Sequence, residues 1–151
     1  MTTENAPWYA AYPKPKNTSP DSISRSEVLD RLDRGEQPGR DFLLVDLRRN
    51  DHEGGTIRGS LNLPAQSLYH SLPTLYNLCD TGKIDIIIWY CGSSRGRGTR
   101  AAGWFDDMIK EKGHKSMKSV ILLEGVSGWA AAGKEYSDMM DGYEKEVWEK
   151  M

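Results

Sequence analysis

Apolar positions recur along the chain with two different periods. Val28, Leu29 and Leu32 fall on one helical face. They follow Ser24-Arg25-Ser26-Glu27, which has the form of a capping box, and Gly35 stands where that helix would stop. Phe42 to Val45 is a short apolar run of strand character ending at Asp46, and Gly54 to Pro64 is a glycine-bounded turn with a short strand. Leu68, Leu72, Leu75 and Leu78 return to helical spacing, with Pro73 marking a break or a start. Ile84 to Tyr90 is the strongest strand signal. It is apolar at nearly every position, as a central parallel strand covered on both faces would be. Ala101, Trp104, Phe105, Met108 and Ile109 then share a helical face that Gly113 closes. Ser119 to Leu123 is a further strand, and Tyr136, Met140, Tyr143 and Val147 follow at helical spacing. Strands alternating with helices predict an α/β fold with a mostly parallel central sheet, flanked by helices on both faces.

Organisation and composition narrow the picture. Residues 1–20 hold four of the seven prolines, so they read as an extended arm ahead of a domain spanning 21–151. Trp8, Tyr9 and Tyr12 are placed to dock that arm. With 38% hydrophobic and 28% charged residues among 151, the chain is globular in composition. Its net charge of −2 gives no general attraction to nucleic acid or to an anionic membrane. No apolar run approaches the ~20 residues of a membrane span. Two cysteines, Cys79 and Cys91, are too few for a disulfide scaffold and suit a reducing compartment. A soluble cytoplasmic protein is expected. His52, His70 and His114 share no ligand spacing, so no metal centre is expected.

The chemistry concentrates where the strongest strand ends. Ligands in parallel sheets bind where a strand gives way to a loop and a helix, and there the sequence reads Cys91-Gly92-Ser93-Ser94-Arg95-Gly96-Arg97-Gly98. The glycines let successive N–H groups turn toward one centre, which with the positive end of the next helix makes an anion cradle. Arg97 can grip two oxygens of a tetrahedral guest through its guanidinium fork. Arg95 adds charge at the loop, and residues 91–100 contain three arginines and no acid. The same field favours the thiolate of Cys91, the form that acts as a nucleophile. Ser93 or Ser94 is placed to donate a hydrogen bond to it. The residue types leave phosphorus and arsenic oxyanions both open as the electrophile.

Three motifs, in order, resemble the rhodanese-fold family: Val45-Asp46-Leu47-Arg48, Gly54-Gly55-Thr56-Ile57-Arg58-Gly59-Ser60-Leu61-Asn62 and Leu123-Glu124-Gly125-Val126-Ser127-Gly128-Trp129. The resemblance covers roughly Ser22 to Gly133. Sulfurtransferases of the family carry a six-residue loop. The seven residues from Cys91 to Arg97 are similar instead to the cell-cycle dual-specificity phosphatases and to the related eukaryotic arsenate reductases, the fungal ones above all. The resemblance thus implies a cysteine-dependent oxyanion enzyme, an arsenate reductase with phosphatase activity. A protein phosphatase, a thiosulfate-type sulfurtransferase and a non-catalytic rhodanese module are the alternatives. It also implies that Asp46 and Arg48 brace the loop. Three positions depart from the phosphatases: Tyr90 replaces a histidine, Leu47 replaces a protective cysteine, and the loop lacks an acid.

Redox stoichiometry implies partners. Arsenate reduction through a Cys91 adduct needs two more electrons, and Cys79, near the other end of the strand, lies beyond disulfide reach. Glutathione as donor and glutaredoxin as partner are expected, with no bound cofactor. Asp106 and Asp107 lie two turns down the helix, too far to protonate a leaving group. Glu124 shares the rim, and Arg100 is read as a helix-surface residue.

Overall fold

A computed structural model of the chain describes residues 6–150. The first five residues of the predicted arm, and Met151, lie outside that range. Five parallel strands form the central sheet: β1 (Asp21–Ile23), β2 (Leu43–Asp46), β4 (Leu61–Asn62), β5 (Ile86–Tyr90) and β6 (Lys118–Leu122), in the order β1-β6-β5-β2-β4. β5 lies at the centre, as its unbroken apolar run requires. Side chains alternate across it. Ile87, Trp89 and Cys91 face one layer, while Ile88 and Tyr90 face the other.

The first layer is formed by α2 (Ala65–Leu68), α3 (Leu72–Thr81) and α4 (Arg97–Glu111). The second contains α1 (Arg25–Asp33), α5 (Gly125–Ala131) and α6 (Lys134–Ser137). Ser24 caps α1, its hydroxyl accepting the Glu27 N–H at 3.2 Å. Pro73 sits in the first turn of α3, where its missing N–H costs nothing, so it begins that helix rather than breaking one. Ser119, a polar side chain buried between β6 and α4, is fully engaged. It accepts from Trp89 Nε1 (2.9 Å) and donates to the Ala102 carbonyl (2.8 Å).

The C-terminal stripe is not one helix. Tyr136 ends up in α6, Met140 in β7 (Met140–Asp141) and Val147 in α7 (Lys145–Glu149). Gly142, in the left-handed region at φ 68°, breaks the helical path. β7 pairs antiparallel with β3 (Thr56–Ile57) in a two-stranded ribbon outside the main sheet.

Residues 6–20 of the arm pack against the domain. One 3₁₀ turn spans Trp8–Ala11. The Pro13 carbonyl then accepts from Trp104 Nε1 at 2.8 Å. The N–H groups of Lys16 and Asn17 donate to Asp107, at 2.7 and 3.0 Å, and the Asn17 amide to Asp106 at 2.8 Å. Gly103 permits the crossing, since a Cβ there would strike the Asn17 carbonyl. Asp106 and Asp107 are therefore committed to holding the arm. Arg100 stacks on the Tyr9 ring, 3.7 Å from its centroid. Among the described residues no helix is long and apolar enough to cross a membrane.

Candidate active site

The loop from Cys91 to Gly96 leaves the C-terminal end of β5 and enters α4 at Arg97. Gly96 is the N-cap, and no side chain caps the helix there. The first N–H groups of α4 consequently have no partner within the helix, and its positive end faces the loop.

Four of the loop's carbonyls have hydrogen-bond donors elsewhere, two on α5 and two in the first turn of α4. The Cys91 and Gly92 carbonyls accept the N–H groups of Val126 and Ser127, both at 3.0 Å. Gly125, at φ 60°, allows this approach, because a Cβ there would collide with both oxygens. The Ser94 carbonyl accepts from the Thr99 hydroxyl (3.2 Å), and the Gly96 carbonyl from the Arg100 N–H (3.0 Å). Buried Ser94 takes the left-handed conformation, φ 65°, which aims its N–H at Cys91 Sγ (3.1 Å). Its hydroxyl accepts from the Cys91 N–H at 3.4 Å. Cys91 Sγ thus receives a backbone donor beside the N-terminus of α4.

Arg97, the first residue of α4, directs its fork at Asp51. Nη1 and Nη2 donate to the two carboxylate oxygens at 2.9 and 2.6 Å. Hydrogen bonding from Arg97, with its charge, holds the Asp51 carboxyl down at about 2. Arg97 is in turn held above its ordinary value, chiefly by Asp51 and also by the neighbouring Cys91. Sequence reading missed Asp51. It lies 46 residues from Arg97 and on a different loop, and its only signal was its place five residues after Asp46, on the same rim of the sheet.

Asp46 and Arg48 do not reach the Cys91 loop. Arg48 Nη2 and Nε bind the Asp46 carboxylate at 2.7 and 3.0 Å, with both side chains buried. The remaining guanidinium donors go to the carbonyls of Gly55 (2.8 Å), Glu53 (3.0 Å) and Asp51 (3.4 Å). The pair therefore braces the loop that carries Asp51, and thereby the partner of Arg97. The Thr56 hydroxyl also donates to Asp46, at 2.7 Å. Tyr90 points to the far face of β5. Its hydroxyl joins Thr56 (2.8 Å), Ser60 (2.6 Å) and the Ile57 N–H (3.2 Å), which pins the β3 turn, and burial pushes its phenol up.

Ser93 and Arg95 are exposed, and line a groove with Thr99, Glu124 and Ser127. Glu124, left-handed at φ 68°, pairs with Arg25 at 3.1 Å. Cys79, buried on α3, has its carbonyl bound by the Ile84 N–H at 2.9 Å, at the entry to β5. The run from Ile84 to Cys91 separates the two cysteines by roughly 20 Å, too far for a disulfide. Burial pushes the Cys79 thiol up to about 11.

The sequence profile of the rhodanese-like domain matches residues 24–132. Arsenical-resistance protein 2 of Saccharomyces cerevisiae is 26% identical over 107 residues, which is 66% of this chain and 82% of that protein. A solved yeast protein tyrosine phosphatase of the rhodanese family superposes with a TM-score of 0.71 at 20% identity, over 85% of this chain and 96% of its own. An As-Sb reductase from Leishmania major superposes at 0.68 and 22% identity, over 81% of this chain and 85% of its own. The two superpositions speak for the fold.

Proposed function

Because the chain belongs to the rhodanese-like domain family, we propose that it is a cysteine-dependent oxyanion enzyme, an arsenate reductase with accompanying phosphatase activity. The observation that carries this reading is the loop itself. Its first two carbonyls are bonded to α5, while the Ser94 N–H donates to its sulfur, and the uncapped N-terminus of α4 with Arg97 as its first residue stands at the loop's other end. Gly92, Ser93, Ser94, Arg95, Gly96 and Gly98 would form the cradle, Arg97 would hold two oxygens, and Cys91 would be the nucleophile.

The chemistry balances with external thiols. Cys91 displaces one hydroxyl of arsenate, which leaves as water, and an S–As(V) bond forms. Glutathione displaces a second hydroxyl in the same way. A further thiol, from glutaredoxin or another glutathione, then attacks the glutathione sulfur. The new S–S bond forms, the electron pair of the broken As–S bond passes to arsenic, and As(V) becomes As(III). Water then releases arsenous acid and restores the Cys91 thiol. The buried Cys79 at the far end of β5 supports a donor from outside the chain.

Arsenate is favoured over phosphate esters because its oxygen ligands exchange readily. An alkoxide leaving group needs a proton, and residues 91–97 carry no acid. The seven-residue loop disfavours a sulfurtransferase, and the cysteine disfavours a simple binding module. The test is a three-way assay: arsenate with glutathione and glutaredoxin, an aryl phosphate, and thiosulfate with cyanide. Turnover is expected to be highest with arsenate and lower with the aryl phosphate. Preference for thiosulfate would overturn the assignment.

A further inference from the structure

The fork that should receive the guest already holds an anion. Arg97 binds both oxygens of Asp51 side by side, which is how it would bind two oxygens of a tetrahedral oxyanion. The Asp51 backbone is fixed from below. Its carbonyl accepts from Arg48, whose remaining donors hold Glu53, Gly55 and the buried Asp46. Its carboxylate is not fixed in that way. It is 51% exposed against 23% for Arg97, so Asp51 is the member of the pair free to swing into solvent. One local bond, from the Arg49 N–H to Asp51 Oδ1 at 3.1 Å, also belongs to the side chain.

We propose that Asp51 is a specificity-determining residue of this site, an internal counter-anion that every incoming oxyanion must displace from Arg97. The proposal rests on the reading of the Cys91 loop as an oxyanion cradle, and adds how that cradle selects its guest. Displacement costs the ion pair, and the freed carboxylate remains beside the bound anion and repels it. A dianion gains about twice the Coulomb attraction of a monoanion from Arg97 and the helix terminus, but the freed Asp51 carboxylate also repels it about twice as strongly, while the cost of breaking the ion pair is the same for both. Asp51 thereby holds back arsenate- and phosphate-like dianions more than nitrate or chloride. The role assigned to Asp51 is on affinity: in the free site Arg97 holds its carboxyl down, at about 2, as the anion to be displaced.

The test follows alkylation of Cys91 by iodoacetamide at constant ionic strength, and reads the concentration of arsenate, phosphate or nitrate that halves the rate. Asp51→Asn keeps an oxygen for the Arg49 N–H and removes the charge. Its half-protection point for arsenate and phosphate is expected to fall about two- to fivefold, in line with the cost of an exposed ion pair. The point for nitrate is expected to fall less, so that the preference ratio for dianion over monoanion grows. Asp51→Ala, checked for an unchanged melting temperature, should do the same. Half-protection points and a ratio that ignore both substitutions would overturn this proposal alone. Wild-type protein that arsenate fails to protect would overturn it together with the cradle on which it rests.

Discussion

Two arginine–aspartate pairs share the rim of this sheet, and they differ in almost everything but chemistry. Arg48 and Asp46 are 2% and 0% exposed. Each of the five N–H groups of Arg48 has an acceptor, so this pair has no reason to exchange. Arg97 and Asp51 are 23% and 51% exposed, and among the described residues the fork's hydrogen bonds go to that one carboxylate. The same bidentate bond is thus a fixture in one place and a replaceable contact in the other. Burial and the number of supporting acceptors decide which. The fixed pair also serves the replaceable one, since Arg48 holds the loop that presents Asp51.

Breaking the buried pair is expected to have the largest effect. Arg48→Met leaves Asp46 buried without its cation, at a cost of about 3–5 kcal/mol. Thermal unfolding should shift down by roughly 10 °C. A melting temperature within two or so degrees of wild type would show that the two pairs are not so different.

Arg97→Lys should give the opposite profile. Its cost in stability is expected to stay below about 1 kcal/mol, the range of an exposed ion pair. Affinity for arsenate or phosphate should fall about ten- to a hundredfold, because an ammonium cannot offer the fork. An unchanged arsenate KM would remove Arg97 from the cradle.

The smallest effect is in the acid limb of stability. Asp51 titrates near 3.8 in the unfolded chain and is held down at about 2 in the folded one. Its contribution is therefore present in full above pH 4 and is lost as pH falls toward 2. Exposure limits it to less than about 1 kcal/mol. Wild type should exceed Asp51→Asn in stability at pH 5, with the gap closing by pH 2. A gap that widens on acidification would contradict the pairing.

The contrast between the pairs also marks what a sequence makes legible. β5 and the loop after it could be read directly, because an uninterrupted apolar run has one good place in a parallel sheet and Cys91 stands at its end. The spacing to Arg97 could be read for the same reason: both residues belong to one loop. Asp51 could not, since its pairing crosses between loops and leaves no periodic trace. The role of Arg48 was half visible. Its pairing with Asp46 is local, but the carbonyls it holds depend on how the 49–55 loop folds back. The β3–β7 ribbon escaped as well, because two-residue strands carry no alternation, and the spacing of Tyr136, Met140, Tyr143 and Val147 mimics a helix that Gly142 does not allow.

The central claim is that the sulfur of Cys91 performs the chemistry on an oxyanion seated in its loop. Arsenite formation by Cys91→Ser, measured beside wild type with arsenate, glutathione and glutaredoxin, tests it most directly. The wild-type protein is expected to form arsenite, and the serine variant, equally well folded, none above the uncatalysed rate. Full arsenite production by the variant would contradict it.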